Sequence, residues 1–385
     1  MPMFAKYINI NFISSLAPFL VAFIIAVINL KIGAVMSPDS HTYSSYADRL
    51  INLEFNYFLY FESDSLGRLV QITLPVTLIA ILKIISPSEW MEYFIYVNTL
   101  FVFIAFYFFQ RAMQSVKIHN IVIGFCCFLL ILSADFLTWP RYILTDTIYA
   151  SLSFLLIYIT MTVKSFDLKK ISIWLLCSFL LAFTRPTAMP ILAVSIFLMF
   201  IYKIKLKPKV MMLIFLTSFF SSALFYAVLA SNLANNTNLS EGIDHLMNFA
   251  KLGVVIHDRP DTYINISNDI YGFFKLFCYR FLFFFNPYAQ SFSSIHIIFN
   301  SFLTLVYLFG LIGTIWNWGV VTFEQKQFFL KINLFIFSIA IFHSATLIDF
   351  DWRYRFPVII LMIFVGAISM QSLVNSLKAK KFIQN

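Results

Sequence analysis

The sequence predicts an all-α, polytopic integral membrane protein with about ten transmembrane helices and interfacial helices in its outer loops. Three observations predict this class. Of the 385 residues, 61% are hydrophobic and only 12% charged, whereas a soluble domain is near half apolar. Apolar runs recur along the whole chain at about the length that crosses a ~30 Å hydrocarbon core. The basic excess, net charge +9, is largely confined to short loops between those runs. There it reads as topology and membrane-surface contact, not as nucleic-acid binding.

In chain order the expected spans are Phe12–Ala34, Glu92–Gln110, Asn120–Leu137, Ile143–Val163, Ile171–Phe183, Thr187–Tyr202, Val210–Ala230, Ile297–Trp316, Gln327–Leu347 and Phe356–Leu373. The first follows Lys6 without a small-residue cleavage site, so it reads as a retained helix and not a signal peptide. Two further apolar runs, Leu69–Ser86 and Tyr271–Phe285, are long enough to span or to lie in the interface. The basic loops Arg111–Lys117, Val163–Lys170 and Tyr202–Lys209, with the tail lysines Lys378, Lys380 and Lys381, are expected in the cytoplasm. An even number of crossings must then separate neighbouring basic segments. That holds if the two further runs do not cross, and it places both termini inside. The first outer loop would cover residues 35–90 and the second large outer loop 231–296. The longest polar stretch, Ser231 to Asp269, is too short for an ordinary soluble domain, so residues 1–385 read as one membrane-embedded domain. Cys126, Cys127, Cys177 and Cys278 lie in apolar runs without C-x-x-C spacing and read as packing residues.

The few charges cluster at the ends of apolar segments. The clusters are Pro38-Asp39-Ser40-His41, Arg141 to Asp146, Thr184-Arg185-Pro186, and Asp349 to Arg355. An ionisable side chain at membrane depth costs roughly 2.5–3.5 kcal/mol on insertion scales, which makes such residues functional candidates. The topology above puts all four clusters on the outer face, although the basic loops were assigned without reference to them. Met36–Leu50 is expected to be a loop entering a short amphipathic helix, with Tyr43, Tyr46 or Ala47, and Leu50 on one face. Asp39 at its mouth is a helix cap or a general base. His41 lies two residues on. Asp146 starts a span and reads as a cap or a second acid. Arg141 and Tyr142 read as interfacial anchors or ligand contacts. Arg185 sits in a tight turn between short apolar helices, and its planar donor fork suits phosphate. Asp349 to Arg355, before the last span, packs two acids, Arg353, Arg355 and three aromatics, Tyr354 among them. It reads as an interfacial belt or as a cationic, aromatic-lined pocket for a lipid phosphate.

The order of these motifs carries a resemblance. A first span is followed by Pro-Asp-Ser with Tyr43 four residues after Asp39. Arg-Tyr-Ile-Leu-Thr-Asp then opens a later span, with Leu-Ala-Phe-Thr-Arg-Pro-Thr after it and Asp-Trp-Arg-Tyr-Arg-Phe-Pro near the end. From about Phe12 to Leu373 the chain resembles membrane glycosyltransferases of fold type C. It is most similar to bacterial members akin to protein O-mannosyltransferases and lipid A aminoarabinose transferases. The resemblance implies a polyprenyl-phosphate-linked sugar donor, a glycan, lipid or protein acceptor, and a site on the extracytoplasmic face of the bacterial inner membrane. It matches Asp39 to the acidic residue of the first outer loop. Where the family commonly has Asp-Glu, Ser40 follows here, and Asp146 is the best substitute for the second carboxylate. The soluble C-terminal domain of some members has no counterpart in this chain.

The expected enzyme is therefore an inverting glycosyltransferase. Asp39 would serve as base, with Asp146 as the second catalytic candidate. Arg185, Arg353, Arg355, Arg141, Tyr43, Tyr354 and His41 would contact the donor phosphate or sugar. Arg355 is also placed to pair with Asp349 or Asp351. No cofactor is identified, and no His/Asp ligand spacing near Asp39 argues for a divalent metal. Two rivals stay open: an O-antigen polymerase or ligase, and a lipid-linked glycan flippase or transporter. The transporter would call for mid-membrane charges and facing broken helices.

Overall fold

Every long apolar run of the sequence is helical in the computed structural model, which describes residues 10–62, 68–163, 168–201, 203–234, 266–267, 269–288, 293–345 and 355–384. The first part of the chain forms α1 (Ile10–Ile32), α2 (Pro38–Asn52), α3 (Tyr57–Glu62), α4 (Arg68–Gln71), α5 (Thr73–Ile85), α6 (Trp90–Ser115), α7 (Asn120–Leu132) and α8 (Ala134–Thr138). The remainder forms α9 (Asp146–Thr162), α10 (Leu168–Ala182), α11 (Met189–Phe200), α12 (Pro208–Ala234), α13 (Ile270–Phe284), α14 (Ser294–Trp316), α15 (Phe323–Ala345) and α16 (Phe356–Gln384). No strand occurs among the described residues; one isolated bridge joins Val35 to Tyr142.

Five helices, α6, α12, α14, α15 and α16, are long and apolar enough to cross a membrane. A sixth span results if α7 and α8, bent by 65° at Ser133, are counted as one. The expectation of about ten crossings counts the shorter apolar helices as well. The protein is membrane-embedded on this evidence, because so many apolar helices cannot all be covered by a protein core. Phe19, Phe23, Leu213, Phe225 and Ile312, for example, are more than half exposed, which suits contact with lipid.

The centre is α16. From Phe356 to Ile368 its residues are buried on every side, as a helix apolar all round must be. Its most extensive partner is α14, and α15, α7 and α9 complete the sheath. The α14–α16 crossing depends on glycine: a Cβ at Gly310 would lie 2.7 Å from the backbone of Gly366 and Val365. Small residues permit this approach, and van der Waals packing holds it where lipid supplies no hydrophobic drive.

Polar contacts define two ends of the bundle. At one, Gln325 donates to the carbonyl of Val116, Gln371 accepts from the amide of His119, and Gln327 exchanges two hydrogen bonds with the backbone of Leu206. The basic segments 111–117 and 203–209 therefore meet at the start of α15. The other end lies 20 residues further along α15, about 30 Å away and so about one hydrocarbon thickness.

The two ambiguous runs are both helical. α5 has its first turn bonded to the turn after α10, with the Leu74 amide donating to the Phe183 carbonyl at 3.0 Å. Its last turn is bonded to α2 through Lys83, which donates to Ser44 and Asp48. Both of its ends thus meet segments flanking the far end. α13 runs antiparallel along α12 through Phe281–Phe215, Phe277–Phe219 and Phe273–Tyr226. Just past its last residue, Phe285 stacks on Tyr307 in the middle of α14.

Candidate functional site

The far end gathers most of the sequence's charge clusters, and backbone hydrogen bonds begin the assembly. α1 stops at Gly33, whose φ of +89° is open to glycine at little steric cost. Val35 then lies beside the later segment as an isolated bridge: its amide donates to Arg141 O at 2.9 Å and its carbonyl accepts from Ile143 N at 3.2 Å. That same segment is held from two helices. Asn29 of α1 donates to Leu137 O, and Asn98 of α6 donates to Pro140 O and Tyr142 O. Both asparagines are fully buried, and their amides find acceptors in main-chain carbonyls of the break between α8 and α9.

Immediately after this strap, Ser37 caps α2. Its hydroxyl accepts from Ser40 N while Ser40 Oγ accepts from Ser37 N, with Pro38 at the first helical position. This reciprocal box closes the helix start, so Asp39 is not needed as its cap. Asp39 instead lies half-buried in the first turn, where the helix dipole favours a carboxylate. His41 is exposed. Tyr43, one turn on, faces inward. Burial pushes its phenol pKa up; Arg185 pulls it back, while Asp146 and Asp39 raise it further. The Tyr43 hydroxyl also lies beside Thr145. Three of the clusters therefore converge on this phenol.

Asp146 opens α9 and is 2% exposed. It makes a salt bridge to Arg185 Nη1 across the turn between α10 and α11. Arg185, 8% exposed, also lies over the Tyr149 ring at 6.0 Å. Tyr149 in turn donates its hydroxyl to the Thr187 carbonyl at 2.7 Å and braces the turn. The surroundings are polar for membrane depth: Thr145, Thr147, Ser151, Thr184 and Thr187 are all buried. The hydroxyls of Ser151 and Thr187 have no hydrogen-bond partner among the described residues. Arg141 is half-buried with its guanidinium 5.4 Å from the Tyr142 ring, and its Nε is buried without a hydrogen-bond partner among those residues.

The fourth cluster reaches this region through Arg355, which is fully buried before α16. Its Nη1 donates to Asn286 O and its Nη2 to Phe283 O, both at 2.6 Å. A cation on the last carbonyls of α13 is favourable for both the orphan acceptors and the dipole. The guanidinium also lies over Phe284, which stacks against the ring of His343. His343 lies within electrostatic range of both Arg185 and Arg355. Arg353, Tyr354, Asp349 and Asp351 lie outside the described residues, as does most of the loop 231–296.

No family model, curated protein or solved structure matches the chain. What can be said of its chemistry rests on this geometry. The site offers one half-buried carboxylate in a helix first turn and one deeply buried, ion-paired arginine. Around them stand a second, partly exposed arginine and several buried hydroxyls. Among the described residues no three His, Cys, Asp or Glu side chains converge as a candidate metal site. Sequence reading did not anticipate Tyr149, Asn29, Asn98 or His343. Each sits inside an apolar run, where a lone polar residue spaced to face the core is the available signal.

Proposed function

We propose that the protein is a membrane glycosyltransferase that moves a sugar from a polyprenyl-phosphate carrier to a hydroxyl acceptor on the extracytoplasmic face of a bacterial inner membrane. One observation carries this reading: Asp39 in the first turn of α2 and the buried Asp146–Arg185 pair, from three distant parts of the chain, lie within electrostatic range of the Tyr43 phenol at one end of an apolar bundle. A lipid-linked phosphosugar needs this combination, a base and a fixed cation at headgroup level with apolar helices below. The separation of basic segments to the opposite end supports placing the site outside and the termini inside. The way α5 is tied at both ends supports an arrangement in which it does not cross.

In this reaction the acceptor oxygen attacks the anomeric carbon as its proton passes to Asp39. The bond from that carbon to the donor phosphate oxygen breaks, and polyprenyl phosphate leaves with the electron pair. A single displacement inverts the anomeric centre. Arg185 stabilises the departing phosphate, a preorganised charge acting in a water-poor site. The Thr187 hydroxyl and the Arg141 Nε are further donors with no hydrogen-bond partner to give up among the described residues. Asp146 takes a different role from that of a second acid. Its carboxylate is committed to Arg185, so it serves as the counter-ion that orients the phosphate-binding arginine. Phosphate departs without obligatory protonation, so the chemistry does not require a second acid.

The test is transfer of radiolabelled sugar from polyprenyl-phosphate donors to acceptor glycan, lipid or peptide in proteoliposomes. Label on the acceptor with release of polyprenyl phosphate, abolished in Asp39→Asn, is the expected result. Intact donor moved across the bilayer without cleavage would indicate a flippase and overturn the reading, as would transfer by Asp39→Asn at the wild-type rate.

A further inference from the structure

A second binding feature lies at the opposite end from this site and is independent of the transfer chemistry. α12, α14 and α15 leave between them a cavity of about 580 Å³. Its walls are Met211 and Phe215 of α12, Leu311 and Ile315 of α14, and Leu330 and Phe337 of α15. The polar side chain on the wall is Asn333, and its amide is already engaged. Nδ2 donates to Phe329 O at 2.8 Å, and Oδ1 accepts from the Tyr307 hydroxyl at 2.7 Å. An occupant therefore meets hydrocarbon and aromatic surface alone. Between Phe329 and Phe337 the groove runs about 12 Å along α15, close to the ~15 Å depth of one leaflet's hydrocarbon.

The mouth has the opposite character. Pro208 and Trp318 form its rim, and the segment before Pro208 is pinned there by the paired hydrogen bonds between Leu206 and Gln327. This brings lysines to the opening. Lys205 Nζ lies 5.3 Å from the Phe323 ring and Lys326 Nζ 5.3 Å from the Trp318 ring. Lys207 and Lys209 flank Pro208 and are exposed. Glu324 is the acidic residue in the first turn of α15, so the rim stays positive.

We infer that this groove holds one acyl chain of an anionic phospholipid from the leaflet facing the lysines, with the lipid phosphate among Lys205, Lys207, Lys209 and Lys326. An apolar slot one leaflet deep, opening under four ammonium groups, is complementary to both halves of such a lipid. A zwitterionic lipid offers the chain without the net charge, and a soluble anion offers the charge without the chain.

The experiment exchanges the purified full-length protein into nanodiscs of equal phosphatidylglycerol and phosphatidylcholine with identical acyl chains. Retained lipid is then counted by native mass spectrometry. Wild type is expected to keep phosphatidylglycerol in preference to phosphatidylcholine. Lys205→Gln, Lys209→Gln and Lys326→Gln together should lower that preference by roughly fivefold per lysine. Changing Lys169 and Lys170 to Gln, in a different basic loop, should leave it intact. Leu311→Trp fills the slot and should remove both lipids. If that variant does not fold, the lysine variants decide alone. Equal retention of the two lipids by wild type, or unchanged phosphatidylglycerol retention in the triple lysine variant, overturns the inference. So does a lipid-free dimer in which a second copy covers the groove.

Discussion

Removing one partner of the Asp146–Arg185 pair should be more harmful than removing both. Asp146 is 2% and Arg185 8% exposed, so neither lone charge can recover its hydration. Breaking a buried pair by deleting one side typically costs about 3–5 kcal/mol, whereas replacing both charges with packed side chains of similar size is often neutral. Asp146→Asn and Arg185→Met should therefore each lower the unfolding midpoint in mixed detergent micelles strongly. The double variant should recover most of the loss, with a coupling energy of about 2 kcal/mol or more. Turnover should not recover with it. The double variant still lacks the cation proposed to meet the donor phosphate, so its use of polyprenyl-phosphate sugar should stay impaired, while Arg185→Lys should sit between. Single variants costing under about 1 kcal/mol would show that the pair is solvated. A refolded double variant with wild-type donor kinetics would remove Arg185 from phosphate binding.

Asp39→Asn should reduce transfer by roughly 10²–10⁴-fold with only a small loss of stability, because Ser37 and Ser40 close the start of α2; near-normal turnover in folded protein refutes the base assignment. In intact cells a cysteine at exposed position 41 should react with a membrane-impermeant maleimide and one at position 207 should not. The reverse pattern would invert the proposed orientation. Gly310→Val should destabilise by about 1–3 kcal/mol, since its side chain would strike the backbone of Gly366. A thermally unchanged variant would mean that the α14–α16 crossing is looser than described.

The helices were legible because each is an apolar run bounded by charge, and at this hydropathy neither a lone strand nor a loop can satisfy its backbone in lipid. The polar clusters were legible for the converse reason, that ionisable groups at membrane depth are rare enough to stand out. Pairing was not. Asp146 and Arg185 were both singled out, one as an acid and one as a phosphate ligand, yet nothing in their 39-residue separation says that they bind each other. Arg355 was set beside Asp349, Asp351 or a lipid phosphate. Its two strong acceptors are main-chain carbonyls about 70 residues upstream, and carbonyls have no sequence signature. The capping box of α2 went unread because Ser37 and Ser40 sit beside the more conspicuous Asp39. Asn29 and Asn98 escaped notice because single amides within long apolar helices do not alter their periodicity.

Those two asparagines have a mechanical consequence. They and the Val35 strap attach α1 and α6 to one stretch of main chain between Leu137 and Ile143. Membranes vary in thickness and lateral pressure, and helices answer by tilting. Here a tilt of α1 relative to α6 would have to strip buried amides of their acceptors, at about 1–3 kcal/mol for each group left unsatisfied. The helices that carry the first loop are thus laced into a stiff frame, while α12 and α14, with their broad lipid-facing surfaces, are left to absorb the strain. A protein built this way keeps the polar groups of its site in register across bilayers of differing composition.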